Sequence, residues 1–163
     1  MSFTKLSPED LRKHKGLSFP GITTIFFCHD GAGSLLLGKR SNKARDEHGR
    51  WDPGAGGLKH GQTAEQNLKR ELMEEYGAKA EAIDFLGYMD VFRKNPEGYD
   101  THWLALYFAV KVDPKHVSIK EPDIIDEIGW FKLDNLPTPM HSQFSFFMAK
   151  HGNKLKKYMG IID

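Results

Sequence analysis

Apolar residues along this chain follow two rhythms. Residues 21–28, Gly-Ile-Thr-Thr-Ile-Phe-Phe-Cys, are β-branched and aromatic and predict a strand. Asp30-Gly31-Ala32-Gly33 supplies a turn into a second strand over 34–40. A polar loop follows over 41–50, and Trp51 begins the approach to a glycine-rich loop. Over 63–76 the pattern becomes helical, with Thr63 placed to cap the helix and Gly77 to stop it. Residues 82–92 and 101–112 read as strands, antiparallel across the loop 93–100, and 128–133 as another short strand. The tail over 142–158 is helical again, with Phe146, Phe147 and Leu155 available to pack. One central helix amid several strands, plus a terminal helix, predicts an α/β sandwich.

The densest chemistry lies in residues 56–77. There a glycine loop runs into a helix carrying Arg70-Glu71-Leu72-Met73-Glu74-Glu75 and closes on Gly77. At about 100° per residue, Ala64, Leu68 and Leu72 form one apolar stripe. Glu75 falls within that stripe, and Glu71 and Glu74 flank it on one side. Glu71 faces both other glutamates, and each such like-charge pair costs about 0.2–0.5 kcal/mol. A carboxylate on an apolar face loses hydration and must protonate or find a cation. Three converging oxygen ligands suit a hard divalent ion, Mg²⁺ or Mn²⁺, with Arg70 placed to brace Glu74. The bland alternative is a solvated acidic face, against which the glycine loop and the position of Glu75 both weigh.

With Gly56, Arg70, Glu71, Leu72, Glu74, Glu75, Gly77 and Ala78 in register, this stretch resembles the signature of the Nudix hydrolases. One position departs: Gln62 stands where the pattern has its first glutamate. The resemblance implies a Nudix-type α/β/α sandwich with a mixed sheet. It implies metal-dependent hydrolysis of a diphosphate in a nucleoside diphosphate linked to another moiety. By position it makes Glu71, Glu74 and Glu75 metal ligands, the Ala55 carbonyl a fourth oxygen, and Arg70 part of the catalytic set. Gly54, Gly56 and Gly57 would let the backbone approach metal and phosphate closely. Gln62 is tolerable if that position only supports the ligands, and weakening if it holds a further metal. The motif leaves the general base open. Glu121 leads among Glu121, Asp123, Asp126 and Glu127, with a solvated acidic loop as the alternative.

Lys39, Arg40, Lys43, Arg45 and Arg50 form a basic cluster before the glycine loop, suited to phosphate oxygens. Arg40, at a strand end, is the best placed, and Arg50 is a second candidate. Trp103 and Phe92 offer stacking surfaces, although core packing is the favoured reading of both. His102 and His141, together with residues 36–42, resemble the GDP-mannose hydrolase branch, in which a late histidine is the base and water attacks sugar carbon. That branch lacks some of the glutamates present here, so the intact set favours attack at phosphorus. Trp51-Asp52-x-x-Ala55-Gly56-Gly57 also resembles the isopentenyl diphosphate isomerases. Those need a protonating cysteine, and Cys28 lies mid-strand without the flanking pattern. A non-catalytic nucleotide sensor is a further alternative; Gln62 points to it and the three helix glutamates argue against it.

The 163 residues suit one domain, 1–163, and 39% hydrophobic with 28% charged residues is ordinary for a globular chain. A net charge of +1 gives no reason to expect a nucleic-acid polymer or an anionic membrane as partner. The single cysteine excludes an internal disulfide and fits a reducing compartment. The polar start, residues 1–15, is not a secretory signal, and no apolar run approaches the ~20 residues of a membrane span. The expectation is a cytoplasmic enzyme acting on a small nucleotide or nucleotide sugar. The resemblance adds that it could be a homodimer.

Overall fold

A computed structural model describes residues 7–161. Its elements in chain order are α1 (Pro8–His14), β1 (Gly21–His29), β2 (Ser34–Arg40), β3 (Trp51–Asp52), β4 (Gly54–Gly57) and α2 (Ala64–Tyr76). They continue through β5 (Ala82–Lys94), β6 (Asp100–Lys111), a 3-10 turn (Pro114–His116), β7 (Ile125–Lys132) and α3 (Phe144–Tyr158). Strands β1 and β6 are apolar on both faces, so each feeds two cores. Phe27, Tyr107 and Ala109 pack with Phe144, Phe147 and Leu155 of α3. Phe26, Cys28, Phe108 and Val110 pack with Leu68, Leu72 and Tyr76 of α2. The expected α/β/α sandwich is the result. Its sheet is mixed, because β1 runs parallel to β6 while its other partners are antiparallel.

One irregularity of the sheet positions the site. Strands β1 and β2 share a single register pair, His29 with Leu35. Beyond it they part: β1 pairs with β4 over Thr23–Phe26, and β2 pairs with β3 at Gly38 and Lys39. The two short strands fill the fork and carry the glycine loop through it. Residues from the α2 side and from the α3 side therefore border one space.

Helix α2 starts and stops where the sequence predicts. Thr63 and Gln66 exchange capping bonds, and Gly77 ends the helix at φ 62. Other details differ. Helix α1, capped by the Ser7 hydroxyl on the Asp10 N–H, lies in a stretch whose polarity gave no periodic signal. Strands β5 and β6 run further into their hairpin than expected, and β7 begins at Ile125 rather than 128. Phe146 is 60% exposed and its neighbour Phe147 is in the core, because one step along a helix turns a side chain off the buried stripe. Phe92 is 71% exposed and stacks on His102 instead of entering the core.

Candidate active site

Glu75 sits on the apolar stripe of α2 and is 6% exposed. Its carboxylate faces the Ala55 N–H at 3.4 Å. Burial, reinforced by the charges of Glu71, Glu121 and Asp52, holds it well above the usual carboxylate range. Burial also raises Glu71, with Arg70 opposing. Arg70 is the hub of the cluster. It donates to Glu71 at 2.8 Å, to Glu74 at 2.7 Å, to Asn67 Oδ1 at 2.6 Å and to Gln62 Oε1 at 3.2 Å. Gln62 therefore meets the guanidinium, and its role is to hold Arg70.

With Arg70 drawn between Glu71 and Glu74, no three His, Cys, Asp or Glu among the described residues are gathered as a ready cation cage. The donor chemistry still fits a hard divalent ion. A buried carboxylate adjoins a second one, both raised by burial, and the glycine loop closes over them. Asn67, fully buried on α2, fastens that loop: its amide donates to Thr24 Oγ1 at 3.0 Å and to the Gly56 carbonyl at 3.2 Å. Nothing in the sequence reading singled it out.

A cavity of about 420 Å³ opens at the fork. It is bordered by Ala55, Gly56, Gly57 and Glu75, by Arg40 and Asp52, and by an aromatic wall of Phe27, Trp103, Tyr107, Phe144 and Phe147. Of the residues singled out in the sequence, Ala55, Gly56, Gly57, Glu75, Arg40, Arg45, Trp103 and His141 border it. Glu71 and Glu74 stand beside it on Arg70. Glu121 is raised by burial and by Glu74 and acts on Glu75, which places it near both.

The basic cluster does not converge. Arg50 turns to the Met140 carbonyl at 2.9 Å and to Glu47 at 3.2 Å, a structural tie in place of the expected substrate contact. Lys43 pairs with Asp123 at 2.8 Å. Arg40 borders the cavity, but its charge is engaged by Asp46 at 2.9 Å and Asp52 at 3.2 Å. Arg45 borders the cavity over the Trp103 ring at 5.3 Å and meets Asp46 only at 3.9 Å, so it is the least engaged arginine of this group. Trp103 packs against the backbone at Gly16 and Gly21, so it serves as both packing and cavity wall.

His141 departs from the role of base. Its Nδ1 accepts the Gln143 N–H at 3.1 Å. A ring that accepts there has its Nδ1 lone pair occupied, so that nitrogen is not free to take a proton from water. Cys28 lies in the core on the α2 side, and burial together with Glu75 pushes its thiol up, so it is neither ionised nor on the cavity wall.

Three polar residues that the sequence reading missed also border the cavity. Asp52 has a side chain 14% exposed; burial raises its carboxyl although His141 and Arg40 oppose this. Asp46 and Arg93 pair at 2.8 Å across 47 positions of sequence. Asp52 did carry a signal, as an acidic residue inside an otherwise apolar, glycine-rich run. Asp46 and Arg93 carried none.

Burial works against Asp46, yet Arg93, Arg40 and Arg45 outweigh it and hold the carboxyl below its usual range. A depressed carboxylate contributes stability above its unfolded pKa of about 3.9 and loses it as pH falls through the lower folded value. Asp46→Asn is therefore expected to lower stability at pH 7 by about 1–3 kcal/mol. The gap to wild type should narrow below about pH 4. Melting curves of both proteins from pH 7 to pH 2.5 check this, and a gap independent of pH would refute it.

Residues 19–150 match the NUDIX domain family. Over 90 residues the chain is 31% identical to an oxidized purine nucleoside triphosphate hydrolase of Mus musculus. That match covers 55% of this chain and 53% of the mouse protein, so the chain spans about half the length of the curated relative. A MutT NUDIX hydrolase from Burkholderia pseudomallei superposes with a TM-score of 0.70 at 26% identity, over 81% of this chain and 98% of its own. The NUDIX domain of Shewanella oneidensis NrtR, solved with ADP ribose, gives 0.66 at 18% identity over 93% and 99%, a likeness of fold alone.

Proposed function

We propose that this chain, which belongs to the NUDIX family, hydrolyses a diphosphate bond in a nucleoside diphosphate linked to another moiety, with Mg²⁺ or Mn²⁺. The observation that carries the reading is Glu75, a buried carboxylate placed beside Glu71 at the border of a cavity of ligand size. Glu71, Glu74 and Glu75 would hold the cation, with the Ala55 carbonyl as a further oxygen. When bound, such a cation neutralises diphosphate oxygens and makes an attacking water more acidic.

The remaining work falls to the chain. Arg70, steadied by Gln62 and Asn67, keeps the helix carboxylates aligned. Gly56 lets the loop backbone lie against Glu71, where a side chain would collide. Arg45 supplies a positive charge beside the cavity, and Trp103 walls it. Glu121 is the favoured acceptor of the water's proton, since burial and Glu74 move its carboxyl upward toward working pH. Attack at a sugar carbon with His141 as base is disfavoured by its Nδ1 contact. We read residues 1–163 as one domain working in the cytoplasm on a small nucleotide, with no nucleic-acid polymer, as the net charge of +1 suggests. Among the described residues no helix is long and apolar enough to cross a membrane.

The test is turnover with Mg²⁺ in ¹⁸O-water against nucleoside triphosphates, ADP-ribose, dinucleoside polyphosphates and GDP-sugars, with products resolved by mass. We expect the label in a phosphate product and no activity in excess chelator. Label in free sugar beside intact GDP would move attack to carbon. Binding without turnover would make the chain a sensor.

A further inference from the structure

Lys15, just after α1, carries a partly buried charge that no carboxylate among the described residues answers. Its ammonium donates to the Leu58 carbonyl, at the exit of the glycine loop, and burial lowers its pKa with no acid opposing the shift. An ammonium has three donors, and a single main-chain carbonyl takes one of them. Capping a carbonyl needs no charge, and a charge withdrawn from water costs free energy until an anion meets it.

The backbone beside Lys15 is fixed. Gly16 turns with φ 81, its N–H donates to the Phe19 carbonyl at 2.8 Å, and its own carbonyl accepts the His102 N–H at 2.9 Å. A Cβ at Gly16 would fall 2.5 Å from the Trp103 indole nitrogen, so the turn lies directly on a residue of the cavity wall.

The ammonium also stands on the cavity side of the sheet. Alternate residues of β1, Thr23, Ile25 and Phe27, border the cavity, as does Gly57, which lies opposite Thr23. Directly opposed residues of antiparallel strands share a face. A Cβ at Gly57 would therefore point to the cavity side, and the Lys15 Nζ lies 3.6 Å from that position. The next residue back, Gly56, lies against Glu71. Lys15 and the helix carboxylates thus flank the same glycine loop. The cations that the sequence offered for this place, Arg40, Lys43 and Arg50, are held by carboxylates elsewhere.

We infer that Lys15 binds a phosphate oxygen of the substrate at this rim of the cavity, a charge contact supplied by the segment before β1. The inference rests on the diphosphate chemistry proposed above and adds to it a residue outside the glycine loop and its helix.

Lys15→Met, which keeps most of the side chain's length and removes its charge, tests it. Titration calorimetry of the full chain with inorganic diphosphate in saturating Mg²⁺ should show binding about tenfold weaker in the variant, the scale of one charged hydrogen bond. Affinity should also fall less steeply with added KCl than in wild type, and Lys15→Arg should restore most of both. A residue that only pins the Leu58 carbonyl would disturb the loop instead, and with it the rise in melting temperature on adding Mg²⁺; that rise should be the same in Lys15→Met as in wild type. Unchanged diphosphate affinity, or a loss matched by loss of the Mg²⁺ response, would overturn the inference and leave the hydrolase reading standing. Failure of wild type to bind diphosphate at all would overturn both together.

Discussion

Glu75→Gln is expected to lower metal-dependent kcat/KM by about three orders of magnitude, while the metal-free protein melts at the same temperature or higher. Both halves follow from where the side chain lies. Glu75 is buried on the apolar stripe, and burial already holds its carboxyl well above the usual range, so in the absence of a cation its charge opposes folding. A neutral amide of the same shape relieves that cost and forfeits the ligand. Added Mg²⁺ should raise the melting temperature of wild type by mass action and leave that of the variant in place. Calorimetric melts with and without Mg²⁺, read beside turnover, separate loss of the ligand from loss of the fold. Full activity in the variant would sink the assignment of the site.

Gly56→Ala is the second large effect, expected to cost about a hundredfold in kcat/KM, the scale of a 1 Å misplacement in a site. A Cβ at Gly56 would lie 2.1 Å from both Cγ and Cδ of Glu71. Such an overlap forces the carboxylate or the loop to move. The loop is fastened through the Gly56 carbonyl to Thr23, Thr24 and Asn67, and Glu71 is held by Arg70, so neither yields freely. Gly57→Ala is the matched control: its Cβ meets only the Lys15 Nζ, at 3.6 Å, an ordinary contact. Activity of the two alanine variants on one substrate gives the answer. Gly56→Ala within a few fold of Gly57→Ala would show that close packing of loop on carboxylate does not matter.

What could be read from the sequence is what short-range rules govern. Thr63, Gln66 and Gly77 mark the ends of α2 because capping and left-handed closure act over three or four residues. Glu75 on the stripe with Leu68 and Leu72 is legible because a helix converts spacing into direction. Phe147 and Phe146 show the limit of that rule: both belong to an apolar tail, and only the docking of α3 on β1 and β6 decides which is buried.

The basic residues before the glycine loop show a different limit. They looked like a phosphate site because cations near a glycine loop often are one. In the fold, Arg40, Lys43 and Arg50 are taken by Asp52, Asp46, Asp123 and Glu47. Ion pairs are chosen by distance in space, and distance along the chain does not carry that information.

The sequence by itself determined the α/β class, the helix of the site with its glutamates, and the family to which these residues belong, since each rests on periodicity or fixed spacing. The tertiary structure alone decided the fork between β1 and β2, the use of Gln62 to hold Arg70, and the engagement of His141 Nδ1 by Gln143. It alone set Asp46 and Arg93 against one cavity. Those features arise where strands distant in sequence diverge and let side chains from both faces of the sheet meet, and no local pattern records such a meeting.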